Sequence, residues 1–226
     1  MRGRARIATV PAMNTKALSA ASLVAAPLLL LVGNAIDPGA SDAAAERLPQ
    51  IADHPARYVA AAYLLVLGAL VFVPGLLALG NLLRGTPGRL GAGLVLTGTL
   101  TTIAFVGFGT SEYEAATSGL DAAQMARLAD NVEASPVAAP LLIVFLVGVV
   151  IGSLVLAWAL WRSRVVPGWA AGAIALGTVL NLAADRPALS ALAFALQAVG
   201  YGRVGLRLAS PLRLTTAPST GPLAHG

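Results

Sequence analysis

Charged residues divide the chain into long apolar runs. Stretches free of Asp, Glu, Lys and Arg cover 17–36, 58–83, 90–111, 134–161, 165–184 and 187–202. Five of them have at least 20 residues, and a helix of that length crosses the roughly 30 Å hydrocarbon core of a bilayer. The sixth has 16, but Arg203 can snorkel to the headgroups and let the helix run on towards Leu206. The pattern therefore predicts six transmembrane helices. Repeated ten-residue alternating segments, the mark of a membrane β-barrel, are absent. The fold class is all-α, a polytopic transmembrane helical bundle over 17–208. A basic segment, 1–16, precedes it, and a polar, Pro- and Gly-containing tail, 209–226, is predicted to be disordered.

Two loops between the runs carry helical signals. In "SGLDAAQMARLADNVEASP", Ser118 and Asp121 form an S-x-x-D capping box, and Ala122, Met125, Leu128, Ala129 and Val132 share one helical face. A short amphipathic helix is predicted there, between spans 3 and 4, ending by Ser135 before Pro136. The loop from Asp37 to Arg57 holds a helical signal over 41–48 that Pro49 should break, after which Asp53 and Pro55 mark the entry to the second span.

Charge sets the orientation. Arg2, Arg4, Arg6, Lys16, Arg84, Arg89, Arg162, Arg164, Arg203, Arg207 and Arg213 fall on one side of the runs, and only Arg47, Arg57, Arg127 and Arg186 on the other. By the positive-inside rule both termini are cytoplasmic in a multi-pass protein of the cell membrane. All ten acidic residues fall on the other side, so the outer face is acidic. The formal charge of +5 does not indicate nucleic acid, because the basic residues flank apolar segments instead of clustering on one face. The apolar run of the first span exceeds the roughly 7–15 residues of a signal-peptide core, so that helix is read as retained. The small residues of Ser41–Ala45 leave cleavage open, and Met13 is an alternative start to Met1.

The stretch "WRSRVVPGWAAG" reads as a tight turn between spans 4 and 5, with Pro167-Gly168 reversing the chain and Trp161 and Trp169 at the interface. Its arginines also allow a lipid phosphate site. An echo links Ala92-Gly93-x4-Gly98-Thr99 to Ala171-Gly172-x4-Gly177-Thr178. Both copies run in the same direction, as in a parallel repeat.

Candidate chemistry is sparse. The chain has no cysteine, which excludes disulfides and thiolate metal sites. Its two histidines, His54 and His225, lie outside the apolar runs, which excludes bis-histidine haem at membrane depth. No run contains an ionisable carboxylate, lysine or histidine of the kind that ion-coupled carriers use. No cofactor, metal ligand set or catalytic residue is expected. The nearest approach to a site is an outer-face polar cluster of Asp53, His54, Glu112, Tyr113 and Glu114. The plain alternative is that His54 caps a helix and the carboxylates are solvated. Within the spans, Asn81, Thr97, Thr101, Asn181 and Gln197 form a candidate intramembrane polar lining. These residues, with Asn34 and Ser153, are read first as helix–helix or own-backbone hydrogen-bonding groups, for which Gly148-x3-Gly152 and Gly168-x3-Gly172 offer close-contact faces.

The six-span layout and the turn of Arg162, Arg164, Val165, Val166, Pro167 and Trp169 opening span 5 resemble a group of small bacterial membrane proteins classed as a domain of unknown function. Gly168 departs from that motif where a basic residue is expected. The resemblance implies a membrane protein and no activity. The function expected first is an accessory or structural membrane component acting through helix–helix or lipid contacts; the alternatives are a small-molecule or lipid transporter and, after it, a membrane-surface enzyme using the outer carboxylates. The expected partners are the lipid bilayer and a membrane protein or a second copy of the chain.

The topology has a direct test. Single cysteines at Ala122 and Ser163, probed in intact cells with a membrane-impermeant thiol reagent, are expected to react at 122 and stay silent at 163. The opposite pattern overturns the orientation.

Overall fold

The structure, a computed structural model, describes residues 15–39, 44–83, 85–121, 123–124, 127–128, 131, 135–183 and 187–210. Seven principal helices occupy them: α1 (Thr15–Ile36), α2 (Ala44–Asp53), α3 (Pro55–Leu82), α4 (Thr86–Thr117), α5 (Ala138–Ser163), α6 (Gly168–Leu182) and α7 (Pro187–Ala209). Five, namely α1, α3, α4, α5 and α7, are long and apolar enough to cross a membrane, and α6 is a shorter apolar helix. No strand occurs among the described residues. The bundle is all-α, as expected for a chain whose backbone must satisfy its own hydrogen bonds in lipid.

The last run, with 16 uncharged residues, becomes the 23-residue α7, because its helix continues through Arg203, as expected, and on through Arg207. The short helix is α6 instead. The run 165–184 loses its start to the turn: Arg164 ends α5 in the left-handed region (φ 53°), and Pro167 caps α6 at Gly168. Its 15 residues extend only about 22 Å.

The apolar helices close a ring in chain order. Each of α1, α3, α4, α5, α6 and α7 packs on its two sequence neighbours, and α7 returns to α1. The end holding the α5–α6 turn is the arginine end, and the end holding α2 is the acidic end. The buried apolar core lies in the arginine half. It joins Leu23, Leu76, Leu79, Val95, Leu156, Leu160, Ile174 and Val204, contributed by all six ring helices. The outer surface is apolar too, with Leu70, Leu77, Ile143, Leu176 and Val199 all about half exposed or more.

Lipid tails are as apolar as leucine, so packing quality rather than burial holds such helices together. The α4–α5 seam shows this. A Cβ added to Gly98 would stand 2.6 Å from the Val149 amide nitrogen, and one on Gly148 would stand 2.5 Å from the Gly98 nitrogen. Gly152 likewise meets Leu94 and Val95. Within α5 the residues Val147–Ile151 form a π turn beside this contact. Gly168-x3-Gly172 does not act in the same way. Gly172 faces open space, and Gly168 meets only the Trp161 ring.

The two halves of the echo lie in matching surroundings. Ala92 and Ala171 are buried, Gly93 and Gly172 are open, Thr99 and Thr178 are buried, and Gly98 and Gly177 each touch the backbone of the following helix.

The loop helices need correction. Pro49 does not end the first one: α2 continues through it to Asp53. Leu48 and Ile51, one turn apart, are buried against Ala115 and Ala116 of α4. Burial of two such side chains, about 1.5–3 kcal/mol each, offsets the ~3 kcal/mol that an interior proline costs. Ser118 is not a helix cap, since its hydroxyl donates back to Ala115 O at 2.8 Å. The cap is Asp121, whose Oδ1 accepts from Gln124 N at 2.8 Å while Gln124 Oε1 accepts from Asp121 N at 3.4 Å. Ala123, Gln124, Arg127, Leu128 and Asn131 are helical and exposed, and Ala122, Met125, Ala129 and Val132 of the expected face lie outside the described residues.

Leucine tests the glycine seam at two places. Gly148→Leu forces α4 and α5 apart and is expected to destabilise the bundle by at least ~1–3 kcal/mol, the scale of an overpacked core. Gly172→Leu, on open surface, should stay within about 0.5 kcal/mol of the parent. Unfolding in mixed micelles of increasing SDS content reads both, and equal stability of the two variants refutes the seam.

Candidate functional site

Two neighbouring spaces occupy the acidic half of the ring, where the apolar core stops. The outer one, a vestibule of about 370 Å³, is walled by α3 and α4 through Tyr58, Leu65, Thr102, Phe105 and Glu112, with Asp37 and Arg47 at its rim. The inner one, a chamber of about 200 Å³, is lined by residues of all six ring helices. Leu65 and Thr102 belong to both linings, so the two spaces adjoin.

The vestibule is built from groups distant in sequence. Arg47 of α2 meets Glu112 of α4, Nη2 to Oε1, at 2.6 Å, with side chains 14% and 20% exposed. Tyr58 of α3 donates its hydroxyl to Gly109 O at 3.1 Å, with Glu112 Oε2 a more distant acceptor at 3.4 Å. Gly109 is what lets that hydroxyl approach, since a Cβ there would stand 2.6 Å from it. Arg57 Nε donates to Ile36 O at 3.3 Å and so ties the start of α3 to the end of α1. Asp37 accepts from Gly39 N at 2.8 Å. Burial raises its carboxyl above the ordinary value of 3.8, a shift that the Gly39 bond and then Arg47 and Arg57 oppose. Its ionised form is thus disfavoured by burial.

The chamber has a different chemistry. Asn34, Thr99, Thr102, Ser153, Asn181, Gln197 and Tyr201 line it beside Phe72, Phe145 and Phe194. Elsewhere in the spans, hydroxyls bond their own helix: Ser19, Ser22, Thr97, Thr101 and Thr178 each donate to a carbonyl three or four residues back. Thr99, Thr102 and Gln197 make no side-chain hydrogen bond to any described residue. Tyr201 is 1% exposed, and its hydroxyl has no partner at hydrogen-bonding geometry although Ser153 stands close by. Its ring is fixed by an edge contact with Phe72 at 4.9 Å between centroids. An unpartnered buried hydroxyl costs about 1–3 kcal/mol, which makes that of Tyr201, beside a space lined by other polar groups, a feature that asks for an occupant.

The expected outer cluster does not assemble. α4 stays helical to Thr117, so Glu112 and Glu114 diverge by about 200°. Glu112 turns into the vestibule, while Tyr113 and Glu114 line a separate apolar groove on the outside of the α3–α4 seam. Asp53 and His54 are exposed at the α2–α3 joint, and His54 occupies the N-cap position of α3 without a side-chain capping bond. No group of three or more His, Asp or Glu fit to hold a metal occurs among the described residues.

The expected intramembrane lining divides. Asn181 and Gln197 face the chamber. Asn81 and Thr97 are exposed on the outside, and Thr101, though buried, bonds back to Thr97 O. Tyr58, Tyr201 and Thr99 were not legible as site residues, because nothing distinguishes them from other uncharged residues of apolar runs. Arg47 carried a signal as one of few basic residues on the acidic side. No family model matches the chain, and neither a curated protein nor a solved structure does.

Glu112→Gln tests the vestibule. It removes the carboxylate that Arg47 meets at 2.6 Å, and breaking a fully buried pair costs about 3–5 kcal/mol. With both side chains partly exposed, a loss of about 1–3 kcal/mol is expected. Amide hydrogen exchange should accelerate in α2 and not in α6. Uniform acceleration, or none, removes the pair from its role of holding α2 down.

Proposed function

We propose that this protein is a membrane-embedded binding protein of the carrier type, which admits a small, uncharged, hydrogen-bonding molecule from its acidic end into the central chamber. The observation that carries the reading is the buried, unpartnered Tyr201 hydroxyl beside Ser153, Gln197 and Thr99, around a space bounded on the arginine side by the apolar core. The chamber holds no carboxylate, lysine, arginine or histidine, so a charged ligand would be buried there without a counter-charge. A neutral amide or hydroxyl compound would supply partners to groups that lack them. Few polar groups in a largely apolar cavity is the usual composition of a small-molecule site. The π turn places Val149 on the chamber wall, and such turns recur at functional positions of helices.

A second reading, an accessory component working through helix–helix contact, is favoured by Gly93 and Gly172. These two open glycines present small-residue surface to the outside of the ring.

The absence of native cysteine makes the test clean. A thiol reacts as its thiolate, which forms where water reaches it. Ser153→Cys and Thr99→Cys are expected to react with methyl methanethiosulfonate in proteoliposomes, and Leu156→Cys, in the core, to stay inert. Glycerol or urea, as the simplest polyol and amide, should slow the reaction at both chamber positions. A chamber cysteine as inert as Leu156→Cys overturns the binding reading, and disulfide-linked dimers of Gly93→Cys alongside that result decide for the accessory one.

A further inference from the structure

The turn between α5 and α6 gathers groups that the chamber does not use. Arg164 sits in the left-handed C-cap of α5. Arg203 and Arg207 stand one helical turn apart on α7, on one face. All three line a single cleft of about 550 Å³ together with Trp161 and Gly168, the first residue of α6. The Trp161 indole lies along that helix start: a Cβ on Gly168 would stand 3.6 Å from its Nε1. The polar side-chain groups of the cleft are therefore all donors, three guanidiniums and an indole N–H. The opening amides of α6 add the positive end of a helix dipole.

Nothing negative balances them. The described acidic residues, Asp37, Glu46, Asp53, Glu112, Glu114 and Asp121, belong to the acidic end. None of the three arginines has an ion pair with a described residue. Arg162, at the same end of α5, shows what an arginine outside the cleft does: its guanidinium lies 5.6 Å over the Trp158 ring.

We propose that this cleft binds a phosphate group, carried either by the headgroup of an anionic lipid or by a soluble phosphate ester. Guanidinium forks match phosphate oxygens in geometry and keep their charge at any physiological pH. The cleft opens at the end of the bundle where the helices leave the apolar layer, which is the depth of lipid phosphates. Gly168 keeps the α6 start bare so that a phosphate oxygen can reach its amides, and the Trp161 indole closes one side.

The full chain in phosphatidylcholine nanodiscs, with and without phosphatidylglycerol, is examined by native mass spectrometry. The expected result is retention of phosphatidylglycerol by the parent protein, weakened roughly fivefold by each of Arg164→Gln, Arg203→Gln and Arg207→Gln, which is the contribution of one arginine at an anionic surface. Arg203→Lys, which keeps the charge and loses the fork, should fall between. Arg162→Gln should retain lipid as the parent does. Displacement by glycerol 3-phosphate assigns the cleft to a soluble ester, and retention of lipid against it assigns the cleft to a headgroup; either outcome supports a phosphate site. Equal effects of Arg162→Gln and Arg203→Gln, or no effect of any cleft variant, overturn it. All these side chains are exposed, so folding is not at risk, and the chamber cysteine reaction serves as the independent check that each variant is intact.

Discussion

Backbone contact between α4 and α5 at Gly98 and Gly148 sets the spacing on which the ring depends. In water, burial of the ring's leucines would draw the helices together whatever their fit. In lipid that force is nearly absent, and close approach of two backbones supplies dispersion contact in its place. Gly205 against Ala20 O and Gly177 against Ala193 O, both at 2.6 Å from an added Cβ, repeat the device at the α7–α1 and α6–α7 seams. Tight seams around the circumference leave the interior volume to be decided by what each helix points inward.

That interior is divided. Towards the arginine end, leucine, isoleucine and alanine side chains from all six ring helices fill it. Towards the acidic end, phenylalanines and uncharged polar groups leave a chamber unfilled. The contrast in hydrogen bonding gives the division its meaning. A hydroxyl that bonds back to its own helix costs the bilayer nothing, and Thr97, Thr101 and Thr178 are of that kind. Tyr201 cannot bond back in this way, because its hydroxyl stands at the far side of an aromatic ring, and it remains buried without a partner.

α2 gives the acidic end a structure of its own. Its Leu48 and Ile51 grip α4 while Arg47 reaches Glu112 at the vestibule, so one short helix both packs on the acidic end of α4 and supplies a charge to the vestibule. The arrangement puts the charges of the vestibule outside the chamber proper.

The sequence alone carries the all-helical architecture, the apolar runs and the turn at Pro167-Gly168. These follow from local rules: a bilayer accepts only segments of a certain length that satisfy their own backbone, and proline and glycine punctuate them wherever they occur. It also carries the segregation of all acidic residues to one side of the runs. The facing of the polar residues was beyond it. Asn181 and Gln197 turn inward while Asn81 and Thr97 turn outward, yet all four sit in runs that are apolar all round. A water-soluble helix betrays its buried face by the polarity of the other. Between lipid and a leucine core there is no such contrast, so the inward face is chosen by packing. The same holds for the pairing of Arg47 with Glu112, 65 residues away, and for the convergence of Arg164 with Arg203 and Arg207. Only the closing of the ring brings those positions together.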